Sequence, residues 1–201
     1  MLTLYHSPMS RSTRVVRLLD EMNLLDAVEI RQVSIQRADG SGGRDAANPH
    51  PEGKVPLLVH DGVEIRETGA ILLYLTDLFP DRGLGVPVGD ALRGRYLSWL
   101  FWYGDVLEPV LIHSYAKLEH PALSATFRGY DEAMAALAGP LRQGPWLLGE
   151  RFTAADILCA SPFAWMPSFM PEIPEIRDWF DRCQASPAVA RTLDEDRKRT
   201  A

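Results

Sequence analysis

Apolar and polar positions recur with two different periods over the first third of the chain. Residues 2–6, "LTLYH", form a short β-prone run. The next apolar positions recur every three or four residues and define one face of a helix: Val15, Leu18, Leu19 and Met22. Residues 28–35, "VEIRQVSI", have strand composition again, but their alternation changes phase at Arg31–Gln32, which predicts a bulge or an early end of the strand.

The segments that follow predict a hairpin and a second helix. Residues 38–53 are rich in Gly, Pro, Asn and Asp and predict a loop with at most a short helix. In "KVPLLVHDGVEI" (54–65), Asp61-Gly62 joins two apolar runs, which is a strong signal for a two-residue hairpin. Another helical face lies within residues 67–79, ahead of Pro80: Ile71, Tyr74, Leu75 and Leu78. The predicted order is β-α-β-loop-β-β-α, in which a right-handed crossover makes the first two strands parallel and the hairpin adds antiparallel strands.

The remainder of the chain is predicted to be helical. Residues 81–90, "DRGLGVPVGD", form a Gly- and Pro-rich linker. Helices are predicted at about 90–103, 105–119, 122–139, 154–166, 173–185 and 187–196, and Thr153 with Asp156 forms a capping box at the start of one of them. We therefore predict an α/β domain at residues 1–80, a linker at 81–90 and an all-α domain at 91–201.

Composition and charge narrow the classes of function. The 201 residues are 46% hydrophobic and 24% charged, which is ordinary for a globular protein with a core. The net charge of −6 argues against nucleic-acid and anionic-membrane partners, which favour a basic surface. No leader and no membrane span are predicted. The two cysteines, Cys159 and Cys183, form no CxxC motif and fit a reducing compartment, so a cytoplasmic location is predicted. The five histidines show no metal-ligand spacing, and no phosphate loop is present.

Three features are candidates for chemistry, and each has a structural alternative. Pro56, at the mouth of an apolar strand, is either a trans proline that opens the strand or a cis proline that turns the main chain of Val55 outward. Glu67-Thr68, at the start of a helix, either cap that helix or hold the ammonium and carboxylate of an amino-acid head group. The three serines of "SPMSRSTR" (7–14), Ser7, Ser10 and Ser12, either cap the first helix or direct a hydroxyl at a ligand.

Four segments, in register and in order, make the chain resemble the cytosolic glutathione S-transferase superfamily over essentially its whole length. They are "YHSPMSRSTRV" (5–15), "NPHPEGKVPLL" (48–58), "ETGAILLYL" (67–75) and "ERFTAADI" (150–157). The resemblance implies a thioredoxin-like domain that binds glutathione as co-substrate, followed by an all-α domain, in a homodimer. These domains agree with the organisation predicted from periodicity.

The resemblance also implies roles for residues of the first domain. Pro56 matches the family's cis-proline, and Val55 matches the residue whose main chain pairs with the cysteinyl unit of glutathione. Glu67 and Thr68 match the acid–hydroxyl pair that binds the γ-glutamyl end, with Thr where many members have Ser. Lys54 is expected to face the tripeptide, at its glycine carboxylate. His50, in the same loop, is interpreted as a surface histidine.

In the serine-type classes of this family a hydroxyl just before the first helix stabilises the glutathione thiolate, and Ser10 matches that position. Ser12 is the alternative for that hydroxyl, and Tyr5 is a rival that we rank as packing. Lowering a thiol pKa from about 8.5 by two units takes about 2.7 kcal/mol. A hydrogen bond to a charged group contributes about 1.5–3 kcal/mol and a helix N-terminus about 0.3–1 kcal/mol, so together the two suffice. The nucleophile is then the sulfur of glutathione.

The acceptor substrate is expected against the first helices of the α-domain, in the aromatic-rich segment 96–115. The predicted acceptor-site residues are Met9, Trp99, Tyr103 and Trp165, although aromatic residues at helical spacing also suit a core. Asp105 either contacts the ligand across a dimer or is an ordinary solvated aspartate. We predict a glutathione transferase of detoxification type that attacks a small apolar electrophile. The alternatives are a glutathione-dependent isomerase or peroxidase, and a non-catalytic binding module.

Overall fold

The chain forms two compact units in a computed structural model, which describes residues 1–200. The first unit comprises Met1–Arg82 together with residues 186–200, and the second comprises Gly83–Ala185. The break between the units at Arg82 falls within the predicted linker. The prediction grouped everything from residue 91 to 201 with the helical domain, whereas the structure places residues 186–200 in the first unit. Ala201 lies outside the described residues.

A four-stranded mixed sheet forms the centre of the first unit. Its strands are β1 (Leu2–His6), β2 (Glu29–Gln32), β3 (Leu57–His60) and β4 (Val63–Ile65), in the order β2-β1-β3-β4. Strand β1 pairs parallel with β2 and antiparallel with β3, and β3 pairs antiparallel with β4. Both the predicted pairing and the early end of β2 are confirmed. At the hairpin turn Asp61 has φ 49° and Gly62 has φ 85°, which is the left-handed pair that a tight two-residue turn requires.

Nine α-helices are present among residues 1–200. They are α1 (Thr13–Glu21), α2 (Thr68–Leu78), α3 (Arg93–Trp102), α4 (Glu108–Tyr115), α5 (Pro121–Phe127), α6 (Tyr130–Leu141), α7 (Ala154–Trp165), α8 (Pro174–Gln184) and α9 (Pro187–Thr200). None of them is long and apolar enough to cross a membrane.

Two helix boundaries differ from the predictions in the helical unit. The single helix predicted at 122–139 is two helices, because Arg128 has φ 65° and Gly129 is extended, so the chain leaves the helical conformation between α5 and α6. The helices predicted at 90–103 and 105–119 are joined by a π-helical turn over Tyr103–Leu107, and α4 ends at Tyr115. An extra residue in a helical turn shifts the face that the following helix presents.

Asp156 joins separate segments of the helical unit. Its carboxylate accepts hydrogen bonds from the Thr153 amide at 2.9 Å and hydroxyl at 3.2 Å, which confirms the predicted capping box at the start of α7. It also accepts from the Leu147 amide at 2.9 Å and from Trp179 Nε1 at 3.0 Å. Burial raises the pKa of Asp156, and these four donors oppose that shift. One side chain thus ties α7 to α8 and to the loop before α7.

Helix α9 packs against α1 within the first unit. Its buried positions are spaced by four residues and therefore lie on one helical face: Ala188, Thr192 and Asp196. Arg191 adds two hydrogen bonds to the Asp20 carboxylate of α1, from Nη2 at 2.8 Å and from Nε at 3.0 Å. The small residues permit a close approach of the two helices, and the one acid on this face is carried into the interior of the unit.

Candidate active site

Strand register brings the predicted glutathione-binding segments to one edge of the sheet. Tyr5 pairs with Leu57, so the loop that follows β1 lies beside the residues that precede β3. Leu58 pairs with Ile65, so the residues after β4, including Glu67 and the start of α2, reach the same edge. Residues far apart in sequence therefore meet where α1 and α2 begin, and both helices place their N-termini there.

The serine loop, residues 7–12, gives its hydroxyls two different environments. Ser12 is the N-cap residue of α1 and is fully buried. Its Oγ accepts from the Ser7 amide at 3.1 Å and lies 2.8 Å from Ser10 Oγ. Ser10 is only half-buried, and its Oγ lies 2.7 Å from the Ser7 carbonyl and accepts from the Ser12 amide at 3.2 Å. Of these two hydroxyls, only that of Ser10 is on a residue with appreciable solvent exposure.

His6 and Asp196 extend the serine network into the interior. His6 Nδ1 lies 2.8 Å from Ser12 Oγ, and His6 Nε2 lies 2.9 Å from Asp196 Oδ1. All three side chains are buried. The result is a continuous chain of contacts from the half-exposed Ser10 through Ser12 and His6 to Asp196.

Asp196 is held in place by further donors, one from the serine loop and one from the first residue of α1. Its Oδ2 accepts from the Met9 amide at 2.7 Å and from the Thr13 hydroxyl at 2.5 Å. Burial works against ionisation of Asp196, but the hydrogen bonds from His6, Thr13 and Met9 outweigh it and lower the pKa of Asp196 below its ordinary value. At neutral pH the group is therefore a carboxylate that accepts every one of these bonds.

Arg37 holds the serine loop from the carbonyl side. Its guanidinium donates to the Pro8 carbonyl at 2.8 Å and to the Met9 carbonyl at 3.3 Å. A third donor reaches Ser7 Oγ at 3.3 Å. Met9 itself has φ 53°, a conformation that non-glycine residues adopt only when their surroundings enforce it. Arg37 and Asp196 supply that enforcement from opposite sides of the same peptide unit.

The Val55–Pro56 segment has the geometry that the resemblance implied. The Val55–Pro56 peptide bond is cis. The Val55 side chain is buried in a cluster with Tyr5, Val33 and Leu57, and Val55 itself precedes β3. Asn48 Nδ2 donates to the Lys54 carbonyl at 3.1 Å, which fixes the loop just before this peptide.

Two residues of this loop differ in exposure. Lys54 is exposed and forms an ion pair with Glu52, so its side chain is available at the surface. His50 is 5% exposed, and its Nδ1 accepts from the Glu52 amide at 3.0 Å. The interpretation of His50 as a surface histidine is therefore wrong. The imidazole replaces a main-chain acceptor within a tight turn, and burial lowers its pKa.

Glu67 and Thr68 occupy the junction between β4 and α2. Glu67 is exposed and is the N-cap residue, with φ 66° and ψ 126°, and it makes no side-chain cap bond to the helix. Thr68 is the first residue of α2 and is half-buried. Capping through the Glu67 side chain is therefore not the explanation for this acid. The strained backbone instead places a carboxylate and a hydroxyl beside free amides of the helix.

Replacing Glu67 with glycine is expected to stabilise the protein by about 1 kcal/mol, because glycine adopts positive φ without strain. The same change is expected to weaken glutathione binding through loss of the carboxylate. Urea denaturation and glutathione titration measure the two effects. Glu64→Gly, at a neighbouring strand position, is the matched control and should destabilise the protein. Loss of stability in Glu67→Gly would show that the backbone there is not strained.

The remaining predicted residues have mixed environments. Tyr5 is buried, and its hydroxyl lies 3.5 Å from Arg31 Nη1, which agrees with a packing role. Within the helical unit Trp165 is 37% exposed at the end of α7 and Tyr103 is 2% exposed in the π-helical turn. Trp99 is half-buried and forms an edge-to-face contact with Trp102. The assignment of Met9, Trp99, Tyr103 and Trp165 to an acceptor site stays a prediction.

The remaining groups with potential reactivity are the two cysteines, Asp105 and possible metal ligands. Cys159 and Cys183 form no disulfide within the described residues, and both are buried. Asp105 is exposed. Within residues 1–200 no group of three or more His, Cys, Asp or Glu side chains is placed to hold a metal ion.

His6 and Asp196 contact the serine loop, and the sequence analysis predicted a role for neither. His6 directly follows the apolar positions of β1, which gives no sign of chemistry. Asp196 lies in the charged run "DEDRKRT" (194–200), where it resembles a solvated residue. The available signal was its spacing of four from Thr192 and eight from Ala188, which puts an acid on the small-residue face of α9.

Comparison with known proteins agrees with the fold. Residues 4–83 match the family model for the N-terminal domain of glutathione S-transferase, and residues 106–187 match that for its C-terminal domain. Disulfide-bond oxidoreductase YfcG of Escherichia coli K12 is 26% identical, and the alignment covers 96% of this chain and 94% of that protein.

Solved structures give the same result. A glutathione transferase from Methylococcus capsulatus has a TM-score of 0.78 at 26% identity, with 98% of both chains covered. A sphingomonad glutathione S-transferase complexed with glutathione has a TM-score of 0.76 at 26% identity, with 96% of this chain and 98% of that one covered. Both family models match in order and span most of the sequence, so the chain belongs to the glutathione S-transferase superfamily.

Proposed function

We propose that this protein binds glutathione at the sheet edge beside α1 and α2 and stabilises its thiolate through the Ser10 hydroxyl. The observation that supports this proposal most directly is the contrast between the two serines. Ser12 is fully buried and its oxygen is surrounded by protein groups, whereas Ser10 is half-exposed at the start of α1. Of these two hydroxyls, a ligand sulfur can therefore reach that of Ser10 and not that of Ser12.

The tripeptide is proposed to lie across the segments that meet at this edge. The main chain of Val55 pairs with the cysteinyl unit as an added strand would. Thr68 and the amides of α2 bind the carboxylate of the γ-glutamyl end, and Glu67 pairs with its ammonium. The exposed Lys54 attracts the glycine carboxylate. The charged groups at the two ends of glutathione are thus each met by a side chain or helix amide of opposite charge or polarity. Binding at both ends fixes the position of the sulfur between them.

The thiolate is proposed to attack a small apolar electrophile. Two solvent-accessible features of the chain support an apolar acceptor: Trp165 and the half-buried Trp99, both large aromatic side chains of the helical unit. Met9 and Tyr103 complete the proposed set. We further propose a homodimer in the cytoplasm, as the resemblance implies, without nucleic-acid or membrane partners.

A second candidate activity comes from the relative named a disulfide-bond oxidoreductase, which is 26% identical to this chain. The same glutathione thiolate can attack a disulfide in place of a carbon electrophile. Because both cysteines are buried, such a reaction would use the sulfur of glutathione and not a protein thiol. Isomerase and peroxidase activities would use this thiolate as well, and a non-catalytic module would bind glutathione without ionising it.

Titration with glutathione at neutral pH, followed by thiolate absorbance in the ultraviolet, tests the proposal. Binding with thiolate formation supports an enzyme, and binding without thiolate would favour the non-catalytic module. A turnover screen with aryl halides, epoxides, hydroperoxides, cis-unsaturated acids and a small disulfide then separates the activities. Turnover of the disulfide alone would replace the transferase proposal with the reductase.

Thr68→Val is expected to weaken glutathione binding about tenfold, because it removes a hydrogen bond to a carboxylate of about 1.5 kcal/mol while preserving shape. Calorimetric titration measures the change in Kd. Thr68→Ser keeps the hydroxyl and is the matched control, with affinity expected within about twofold of the unaltered protein. Equal affinity in all three proteins would remove Thr68 from the binding site.

A further inference from the structure

In the chain of contacts from Ser10 to Asp196, the donor and the acceptor of each hydrogen bond can be assigned from the groups that carry a proton. The Asp196 carboxylate only accepts, so His6 Nε2, 2.9 Å away, must carry a proton. When His6 is neutral, its Nδ1 is then an acceptor, and Ser12 Oγ at 2.8 Å donates to it.

The two serines complete this order. Ser12 Oγ also lies 3.2 Å from the Ser7 carbonyl, but its 2.8 Å contact with His6 Nδ1 is shorter, so its single proton is assigned to His6 and its oxygen accepts from the Ser7 amide. The Ser10 proton has two acceptors within reach, the Ser7 carbonyl at 2.7 Å and Ser12 Oγ at 2.8 Å, and the second of these leads to the imidazole. A buried base is connected to the half-exposed end of the loop by two hydroxyl groups.

We infer that His6 is the terminal acceptor of the glutathione thiol proton, delivered through Ser10 and Ser12, and that Asp196 of α9 is the positioning residue that prepares it. This inference rests on the proposed function, because it requires the glutathione sulfur to lie beside Ser10. It extends that function by stating where the proton of the thiol goes.

The transfer balances without any further reactant. The thiol S–H bond breaks, and its proton binds Ser10 Oγ as the proton of Ser10 moves to Ser12 Oγ. The proton of Ser12 moves to His6 Nδ1, so the products are a glutathione thiolate and an imidazolium. The imidazolium faces Asp196, whose negative charge stabilises it. At the end Ser10 donates its new proton to the thiolate sulfur, so one movement removes the proton and supplies the stabilising hydrogen bond.

Ser12, His6 and Asp196 also have the composition of a hydrolytic triad, but the arrangement does not suit that chemistry. Ser12 has no exposed surface, and its oxygen is enclosed by Ser7, Ser10 and His6. A nucleophile must reach a substrate carbon. A relay needs only hydrogen-bond contact between successive groups, which the three distances of 2.8–2.9 Å provide.

Proton release on ligand binding tests the relay in the unaltered protein. Glutathione is added in weakly buffered solution near pH 7 with an indicator dye, and thiolate absorbance is recorded in parallel. S-methylglutathione, which has no thiol proton, gives the proton changes that belong to binding alone. We expect less than half a proton in solution per thiolate formed, because His6 retains the rest. One proton released per thiolate would overturn the inference and leave the proposed function intact, whereas absence of thiolate would contradict the proposed function itself.

Asp196→Asn tests the positioning role. The Met9 amide and the Thr13 hydroxyl would retain the amide oxygen, so the amide nitrogen would face His6 Nε2 and move the imidazole proton to Nδ1. The base is then already occupied, and the pKa of the bound thiol should rise by about one unit, which is a tenfold loss of thiolate at pH values below that pKa. Asp194→Asn, at an exposed position of α9 paired with Lys198, is the matched control and should leave that pKa unchanged. An unchanged thiol pKa in folded Asp196→Asn would also overturn the inference.

Discussion

Replacing Ser10 with alanine is expected to raise the pKa of the bound glutathione thiol by one to two units and to lower kcat/KM near neutral pH about 10- to 100-fold. The hydroxyl contributes a hydrogen bond to a charged sulfur, about 1.5–3 kcal/mol, which corresponds to one to two pKa units. The N-terminus of α1 remains in the variant and retains about 0.3–1 kcal/mol of stabilisation. Some thiolate should therefore persist at higher pH.

The thiol pKa in Ser10→Ala is measured from thiolate absorbance between about pH 5 and 10, and the rate from conjugation of an aryl halide. Ser98→Ala is a suitable control, because Ser98 is exposed on α3 and its hydroxyl donates only to the Gly94 carbonyl of its own helix. It should change neither quantity. A thiolate unaffected by Ser10→Ala would transfer the role to Ser12 or Tyr5 and would remove the end of the proposed relay.

Asp156→Ala is expected to lower the free energy of unfolding by about 3–5 kcal/mol, the largest effect on stability that we expect from one side chain. The carboxylate accepts from four buried donors, and three of them are amide or indole N–H groups that cannot turn away: those of Thr153, Leu147 and Trp179. Each buried donor left without a partner costs about 1–3 kcal/mol, and water entering the cavity recovers part of the total.

Urea denaturation measures the effect of Asp156→Ala as a decrease in the midpoint at nearly constant slope. Asp178→Ala is the matched control, because Asp178 is exposed and lies next to Trp179 on α8. That change should stay within about 0.5 kcal/mol. A loss below about 1.5 kcal/mol in Asp156→Ala would show that the four donors find other acceptors, and that Asp156 is only a local cap of α7.

Features fixed by neighbouring residues were predictable from the sequence. The Asp61-Gly62 turn specifies its own left-handed conformation, and the capping box of Thr153 with Asp156 depends on residues three positions apart. The break at Arg128 was not predictable, because arginine has no preference for φ 65° and only packing of the helices around it selects that conformation. The periodicity of apolar residues predicts which face of each helix is buried, but it does not predict which other element packs against that face.

The residues of the candidate site also differ in whether a local sequence pattern reveals them. Ser10, Pro56 and Glu67 could be proposed from the sequence because each belongs to a short motif. His6 and Asp196 are 190 positions apart, and no local pattern connects them. The residue type of Asp196 is ordinary for the end of a charged helix. The carboxylate reaches the serine loop only because α9 packs against α1. That packing depends on the tertiary structure of the first unit and not on a local sequence pattern.

The position of Asp196 so late in the chain sets an order of events during synthesis. Sheet and serine loop emerge from the ribosome early, and domains generally begin to fold as they emerge. The Met9 amide and His6 then lack their acceptor until residues 187–200 have been made. A nascent chain thus has both family domains before the candidate site is complete. A premature stop codon near residue 190 would yield a product that keeps residues 4–83 and 106–187, the segments by which the family is recognised, and lacks the group that orients His6.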